Sequence, residues 1–312
     1  MQELLKNYYN IHDFITLEEN KEYTCFLLYE KKYLLTEYKR SDSELEELIS
    51  LNQELINKGL PTSRFVMNIK KEYISLYNNK KYVLLEQIPP YEKEYNILDM
   101  IELNDKLVIS SKKSILIRNN WADLWSAKID YFEYQIRQLG KEHLVVINSF
   151  SYYVGLAENA IAYVNNTTKK TQLSIKEHIT LQRKRINFPN IQKDFFNPLN
   201  YIIDIEVRDA ASYFKSLFFN SYEDLWIEIK AYLKKRKLSL YGYSLLYARL
   251  MYPSFYFDLY EQIIEGTLEE NALLPIINKV DDYELFLKDM YFILSQYAPI
   301  DRVEWIINKK ES

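Results

Sequence analysis

The hydrophobic pattern of this chain changes once, at Ile88-Pro89-Pro90, and that change limits what the chain can fold into. Before it, short runs of β-branched and aromatic residues are typical of strands. Beyond residue 95, apolar residues recur at helical spacing. Proline cannot donate to a strand ladder and restricts the residue before it, so the segment predicts a break. We therefore expect an α+β protein with a small strand-rich lobe over residues 1–90 and a larger, mainly helical lobe over residues 91–312.

Four strands are predicted in the first lobe. Residues 23–29 and 33–38 are two apolar, β-branched and aromatic runs that indicate one strand pair. Residues 73–77 and 81–86 indicate a second pair. Asn78-Asn79-Lys80 lies between these two, and asparagine tolerates the positive φ that a tight hairpin needs. The small lobe is therefore expected to be built on these strands.

One helix is predicted between the two strand pairs. Ser43-Glu44-Leu45-Glu46 has the pattern of a capping box, in which the serine oxygen and the Glu46 carboxylate each satisfy a free N–H. Gly59 and Pro61 supply stop signals at the other end. The apolar positions that share one face of this helix are Leu45, Leu48, Ile49, Leu55 and Ile56.

Amphipathic helices are predicted through the second lobe. The first has an apolar face just before Gly140, formed by Trp121, Leu124, Trp125, Ile129, Phe132, Ile136 and Leu139. Others are indicated over residues 144–164, 208–219, 222–233, 244–252, 255–264 and 283–297. The aromatic stripes predict a packed core, because aromatic side chains contribute much of the burial energy of interiors.

Composition excludes several classes of function. Forty Lys and Arg residues against forty-four Asp and Glu residues give a formal net charge of −4, which supplies no overall field for nucleic acid or an anionic membrane. No apolar run approaches the ~18 residues of a spanning helix, and no signal-like segment opens the chain. The single cysteine, Cys25, excludes an internal disulfide and a Cys-based zinc site. We expect a cytoplasmic protein that neither binds nucleic acid nor inserts into a membrane.

Glycine is scarce, with five residues in the chain and none before Gly59. Neither a Walker sequence nor Gly-x-Gly-x-x-Gly occurs, so the backbone has no glycine-rich loop with which to hold phosphates. A bias toward Lys, Asn, Ile and Tyr explains the scarcity equally well. The absent loop removes one way of holding ATP, whichever explanation applies.

The order of a strand-rich lobe, a proline hinge and a helical lobe resembles that of protein kinases and aminoglycoside phosphotransferases. Within that group, Leu60-Pro61-Thr62-Ser63-Arg64-Phe65 is similar to the small lobe of CotS-type bacterial spore-coat proteins. Three further segments resemble the YutH-like, spore-coat-associated branch: residues 151–161 (SYYVGLAENAI), 207–211 (VRDAA) and 246–253 (LYARLMYP). The resemblance covers nearly the whole chain and implies a kinase-like fold.

The resemblance also implies that the catalytic loop is degenerate. Active relatives carry His-x-Asp, whose Asp orients or accepts the proton of the attacking hydroxyl, but Gln182, Arg183 and Lys184 stand there instead. Lysine has an ordinary pKa near ~10.4 and arginine stays protonated, so neither serves as that base without extreme desolvation. No acid lies between His178 and Asp194, and a lone His178 near a strand is typical of a structural residue. No catalytic residue is therefore assigned.

The lysine that grips nucleotide phosphates in the family would fall near Thr36. Lys39 is the candidate substitute after a change of register, although a lysine beside Arg40 is also typical of solvated surface charge. Lys39 is therefore the weak candidate for cofactor binding.

Asp204 matches the family's metal-binding aspartate and is the candidate metal ligand. A carboxylate there could hold Mg²⁺ between phosphates. The other interpretation is that Asp204 is vestigial and accepts hydrogen bonds from a loop backbone. Arg208 and Asp209 recur in relatives as a pair at a helix start, where a structural role is expected.

Three basic clusters suggest a binding surface, although charge runs are usually solvated. They are Lys169-Lys170, Arg183-Lys184-Arg185 and Lys234-Lys235-Arg236-Lys237. One hypothesis is that Arg183-Lys184-Arg185 lines a cleft whose cationic character now serves binding in place of transfer.

Together, these features imply a pseudokinase associated with formation of the bacterial spore coat. By resemblance it would lie in the mother-cell cytoplasm and then in the coat, contacting other coat or mother-cell proteins, with no cofactor expected. Two alternatives remain open. One is a small-molecule phosphotransferase that uses Asp204 and Mg-ATP. The other is a nucleotide- or metabolite-responsive module that binds in the cleft without turnover.

Overall fold

A six-stranded antiparallel sheet occupies the first part of the chain. The computed structural model describes residues 1–20, 23–89, 94–107, 113–138, 142–173 and 177–309. The first elements are α1 (Gln2–Tyr9), β1 (Ile15–Glu19), β2 (Tyr23–Leu28), β3 (Lys31–Glu37), α2 (Asp42–Asn57), β4 (Arg64–Val66), β5 (Ser75–Tyr77) and β6 (Lys80–Glu86). The strand order is β1-β2-β3-β6-β4, and β5 also pairs with β6. Both predicted strand pairs are confirmed, whereas α1, β1 and β4 were not predicted.

Helices dominate the second part, around one short strand pair. The elements there are α3 (Ile97–Asp105), α4 (Trp121–Ile136), α5 (Leu144–Lys170), β7 (Ile179–Arg183), α6 (Ile191–Phe195), β8 (Tyr201–Ile205), α7 (Val207–Asn220), α8 (Tyr222–Lys235), α9 (Leu240–Met251), α10 (Ser254–Ile264), α11 (Leu274–Ile277), α12 (Val280–Ser295) and α13 (Glu304–Ile307). Strands β7 and β8 pair antiparallel. In the part of the chain that the structure describes, no helix is long and apolar enough to cross a membrane.

The large sheet is covered on both faces. Successive side chains of a strand point to opposite sides, and β6 follows this rule. Tyr82 and Leu84 pack in a cluster with Leu4 and Leu5 of α1. Val83 lies on the other side, where it packs with Leu45 of α2. Residues 82–85 of β6 are therefore an unbroken apolar run, which makes this strand conspicuous in the sequence.

Helix α2 links the sheet to the β7–β8 pair. One cluster joins its buried leucines to both short strands: Leu48, Leu55, Leu116, Leu181, Tyr201 and Ile203. A polar contact reinforces the link, because Thr62 Oγ1 accepts hydrogen bonds from Asn52 Nδ2 at 2.8 Å and from the Tyr201 hydroxyl at 2.9 Å. The position of β7 and β8 relative to the sheet is thus fixed by buried contacts.

The predicted start of α2 was wrong by two residues. Ser41 is the N-cap, and its Oγ accepts a hydrogen bond from the Glu44 backbone N–H at 3.2 Å. The Glu44 carboxylate returns the bond to the Ser41 N–H at 3.4 Å, which completes a capping box. Ser41 can be the cap because its backbone is extended (φ −70°, ψ 156°), while Ser43 already lies inside the helix. Ser41 and Glu44 have the same spacing as the predicted pair.

Two turn predictions are confirmed. Gly59 follows α2 with a φ of +69°, a backbone conformation that glycine adopts without strain. Asn78 and Asn79 connect β5 and β6 with φ values of 49° and 60°, as a two-residue hairpin turn requires. Both follow from local backbone chemistry.

The predicted helices of the second part occur in order, with altered ends. Helix α5 continues to Lys170, beyond the predicted end at residue 164, and α9 begins at Leu240 instead of residue 244. Leu124, predicted on the core face of α4, is 44% exposed because it lies at the rim of a cleft. Leu139 and Gly140 of that prediction lie outside the described residues, as does Pro90, so the lobe boundary stays a prediction.

Replacing the true N-cap should cost more than replacing its neighbour. Ser41→Ala should lower the free energy of unfolding by about 1 kcal/mol, because one helix N–H loses its acceptor. Ser43→Ala is the matched control and should change it by less than ~0.5 kcal/mol. Urea unfolding monitored by circular dichroism measures both. Equal losses for the two variants would contradict the assigned cap.

Candidate functional site

Asp204 lies at the centre of the candidate site, on β8, and its side chain is fully buried. The Trp121 indole N–H donates to both carboxylate oxygens, at 3.0 and 2.9 Å. The Arg208 guanidinium donates to Oδ2 at 2.6 Å, and the Ile205 backbone N–H donates to Oδ1 at 2.8 Å. Two carboxylate oxygens offer about four lone-pair sites. Protein donors therefore engage both oxygens of the candidate metal ligand.

The chain brings these donors together at a junction between strand and helix. Strand β8 ends at Ile205 and α7 begins at Val207, so Arg208 stands four residues after Asp204 and folds back onto it. Trp121 arrives from the first turn of α4. The contact with the Ile205 N–H is the backbone hydrogen bond that the sequence interpretation expected. The contacts with the Trp121 and Arg208 side chains were not expected.

Arg183, which the sequence placed in the cleft, lies in the interior instead. It is 1% exposed, and its guanidinium pairs with Asp209 at 3.0 Å and donates to Asn104 Oδ1 at 2.5 Å. The guanidinium also stacks 3.3 Å from the centre of the Phe195 ring. The hypothesis that all of Arg183-Lys184-Arg185 lines the cleft is therefore wrong for Arg183, because its counter-charge lies in the core.

Gln182 and Asp209 complete this interior contact. The Asp209 carboxylate accepts the Arg183 backbone N–H at 2.7 Å, and the Asp209 backbone N–H donates to Gln182 Oε1 at 2.9 Å. Gln182 is fully buried. These reciprocal bonds tie the end of β7 to the first turn of α7, which agrees with the structural role expected for Asp209.

Lys184 is the member of Gln182-Arg183-Lys184 that reaches the cleft. Its side chain is partly buried, and among the described residues its amine has no acceptor within hydrogen-bond distance and no carboxylate within 4.0 Å. Burial, and then the positive charge of Arg40, lowers the pKa of Lys184 to about 8. Desolvation, which the sequence argument made the condition for a lysine to act as a base, is therefore the main cause of the lowered pKa of Lys184.

A cleft of about 490 Å³ lies beside Asp204, and we refer to it as the cationic cleft. Its cationic lining residues are Arg118, Lys128, Lys184, Arg185, Arg208 and Arg249, with two acids, Asp258 and Glu261. Trp121, Trp125 and Tyr252 form an aromatic wall. Arg185 is paired with Asp258, and Lys128 with Glu261 at 2.9 Å. The cleft is thus an electropositive space with a rigid apolar side.

Lys39, the candidate nucleotide lysine, lies elsewhere. Its ammonium is 3.4 Å from a carboxylate oxygen of Glu265, at the end of α10, and both side chains are about half exposed. It is not among the residues that line the cationic cleft. Thr36 is paired within the sheet, opposite Val83 of β6. The structure therefore does not bring Lys39 together with Lys184 in one cleft.

The remaining sequence candidates occupy structural positions. The His178 backbone N–H donates to Glu206 Oε1 at 3.2 Å, and its carbonyl accepts the Glu206 N–H. In the described ranges no group of three His, Cys, Asp or Glu side chains is arranged to hold a metal ion. In the basic clusters, Lys170 pairs with Asp301, and Arg236 pairs with Asp105 and Glu206.

Sequence reasoning missed Arg249 and the polar contact of Trp121. Arg249 is an arginine within a nearly continuous apolar helix, α9, and buried arginine is rare unless it is paired. That rarity was the available signal. No sequence pattern near Trp121 predicts its hydrogen bond to Asp204, because the two residues are 83 positions apart.

Comparison with known proteins identifies relatives over nearly the whole chain. The family model described as "Spore coat putative kinase YutH" matches residues 2–290. The endospore coat-associated protein YutH of Bacillus subtilis (strain 168) is 27% identical over 329 aligned residues, which cover 97% of each chain. The predicted resemblance to YutH-like spore-coat-associated proteins is therefore confirmed at the level of the family.

Solved structures with the same fold are aminoglycoside-type phosphotransferases. The apo form of a thermostable mutant of APH(4)-Ia has a TM-score of 0.56 at 12% identity, covering 88% of this chain and 96% of its own. Spectinomycin phosphotransferase APH(9)-Ia, bound to ADP and spectinomycin, has a TM-score of 0.52 at 14% identity, covering 95% and 97%. The predicted α+β, aminoglycoside-phosphotransferase-type fold is confirmed.

Removing the uncompensated charge of Lys184 should stabilise the protein. Its pKa of about 8 lies below the ordinary 10.5, so folding disfavours the charged form. Lys184→Met should therefore raise the free energy of unfolding at pH 7 by about 1–3 kcal/mol. The penalty is complete below pH 8 and disappears between pH 8 and 10.5, so the difference between variant and wild type should close over that range. Urea unfolding at several pH values measures it.

Lys235→Met is the matched control, because Lys235 is exposed on α8 and no part of the cleft. It should leave stability nearly unchanged at every pH. A loss of stability in Lys184→Met, or a gain that does not depend on pH, would contradict the assigned environment of Lys184.

Proposed function

The chain belongs to the YutH family of spore coat proteins, and from that membership we propose that it is a non-catalytic kinase-fold protein that associates with the bacterial spore coat. It acts by presenting a rigid surface to other coat or mother-cell proteins. It is made in the mother cell and then joins the coat. In this proposal the protein keeps the two-part kinase-like scaffold but does not transfer phosphoryl groups.

One observation carries the non-catalytic part of the proposal: the engagement of Asp204 by Trp121, Arg208 and the Ile205 N–H. Mg²⁺ is held through carboxylate oxygens, which must have a free lone pair. Displacing Arg208 from Asp204 would leave a buried guanidinium without its counter-charge, and breaking a buried ion pair costs about 3–5 kcal/mol. A metal ion would have to offset that loss before it could bridge phosphates.

The degenerate loop supports the same conclusion. Gln182 and Arg183 are committed to Asp209, so neither is available to an incoming hydroxyl group. Lys39 is paired with Glu265 and lies outside the cationic cleft. We therefore propose that the protein needs no Mg-ATP for its function.

A second candidate function rests on Lys184. Enzymes lower the pKa of lysine bases to about 7–8 by burial and by neighbouring charges, and burial lowers that of Lys184 to about 8. Lys184 stands where active relatives carry the catalytic aspartate. This favours, as the alternative, a small-molecule phosphotransferase in which neutral Lys184 accepts the proton of the attacking hydroxyl.

Titration with Mg-ATP separates the two functions. The non-catalytic protein should give no additional saturable heat when Mg²⁺ is added to millimolar ATP, and its rate of phosphate release should equal that of Lys184→Met. An enzyme would bind Mg-ATP and lose turnover in Lys184→Met while the control Lys235→Met retained it. Calorimetry and a phosphate-release assay on the same preparations decide between them. ATP hydrolysis that depends on Lys184 would overturn the non-catalytic assignment.

Association with the coat can be tested independently of chemistry. In sporulating cells of the organism that encodes this chain, a fluorescent fusion should leave the mother-cell cytoplasm and collect around the developing spore. The protein should then be extracted with the coat fraction. Lys184→Met should localise as the wild type does, since recognition by partners does not need a base. A fusion that stays diffuse in the mother cell would refute coat association.

A further inference from the structure

Arg249 is a buried cation that forms no ion pair with any acid in the described part of the chain. It lies on α9, is 5% exposed and lines the cationic cleft. Within the described residues its guanidinium donates no hydrogen bond to the protein, and no carboxylate lies within 4.0 Å. It stacks against Trp121 and Trp125, with the guanidinium carbon 4.8 and 5.5 Å from the ring centres. Stacking supports the flat group but leaves its five N–H donors to be satisfied from the cleft.

Lys184 is a second cation that forms no ion pair among the described residues. It is partly buried and lines the same cleft. Its surroundings add positive charge, because Arg40 and Arg118 both donate to one oxygen of Glu44, at 3.0 and 2.5 Å. Two guanidinium groups therefore share a single carboxylate beside the Lys184 amine.

Three of the other four cations of the cleft are neutralised one to one, and the fourth, Arg118, shares Glu44 with Arg40. Arg208 pairs with Asp204, Arg185 with Asp258, and Lys128 with Glu261. Three positive charges have no acid of their own among the described residues: that of Arg249, that of Lys184, and one of the two guanidinium groups that share Glu44. These charges converge on one space, although the whole chain carries a net charge of −4. Local electropositive character in an acidic protein is the arrangement expected of an anion site.

The walls of the cleft suit a small molecule. Its volume of about 490 Å³ lies within the range of small-molecule sites. Trp125 stacks on Tyr252 with ring centres 4.2 Å apart and on Trp121 at 5.5 Å. This stack holds Arg249 in place without any acidic partner, so the guanidinium is positioned in advance for a ligand.

We propose that the cationic cleft binds a small oxyanion with at least two negative charges, a phosphate- or carboxylate-bearing metabolite held between Arg249 and Lys184. Arg249 offers a planar pair of donors that matches an oxyanion, and Lys184 supplies a point charge. The site requires neither a metal nor phosphoryl transfer. It goes beyond coat association, and either property can fail without the other.

Calorimetric titration of the full chain with two probes tests the site. Pyrophosphate represents the phosphate class and citrate the carboxylate class, with sodium chloride at equal ionic strength as the screening control. At least one probe should bind saturably with a one-to-one stoichiometry. The double variant Lys184→Met/Arg249→Met should bind it more weakly by at least about tenfold, because two charge-assisted contacts are lost.

The matched control is Lys235→Met/Arg302→Met, which removes the same charges from exposed positions. It should bind the probe as the wild type does. If the first double variant does not fold, Lys184→Met alone should still weaken binding, and the probe should raise the unfolding temperature of the wild type but not of Lys184→Met. Absence of saturable binding by either probe, or equal weakening in the control, overturns the proposal. The probe that binds more tightly identifies the class of anion.

Discussion

Two buried arginine–aspartate pairs hold together the junction on which the rest of the site depends. Arg183 of β7 pairs with Asp209 of α7, and Arg208 of α7 pairs with Asp204 of β8. The pairs are interlocked, because Arg208 Nε also donates to the Arg183 carbonyl at 3.0 Å. Each buried charge is therefore tolerable only while the others stay in place, since an unpaired buried ion is far more costly than a missing pair. The β7–β8 strands and the start of α7 form one electrostatic unit.

This unit also positions the two short strands at which the two parts of the kinase-like scaffold meet. The core of the second part and the sheet of the first meet at β7 and β8, through Leu181, Tyr201 and Ile203. Gln182 and Arg183 form a structural connection here, because both are bonded to the first turn of α7. The side chain of the next residue, Lys184, lines the cleft instead.

Features with local causes could be predicted from the sequence, and features that depend on distant partners could not. The Asn78-Asn79 turn, the stop at Gly59 and the helices of the second part follow from backbone preferences and periodicity within a few residues. The start of α2 was misplaced because Ser41 and Ser43 both have a glutamate three residues later. The orientations of Arg183 and Lys184 were beyond reach, since adjacent strand positions face opposite ways and both residues are cations. The groups that hold Arg183 in the interior, Asp209 and Asn104, lie 26 residues later and 79 residues earlier in the chain.

The two uses of Lys184 oppose each other. A general base must be neutral, whereas an oxyanion bound nearby favours the protonated amine and raises its pKa. ATP is itself a polyanion, so phosphates placed beside Lys184 would protonate the group that must accept the proton. Burial and the positive charges of Arg40, Arg118 and Arg185 lower the pKa of Lys184 in the free protein, and an anion bound in the cleft would oppose that shift. The features that make Lys184 resemble a base in the free protein are therefore the features that make it an anion ligand, and filling the cleft strengthens the second role while weakening the first.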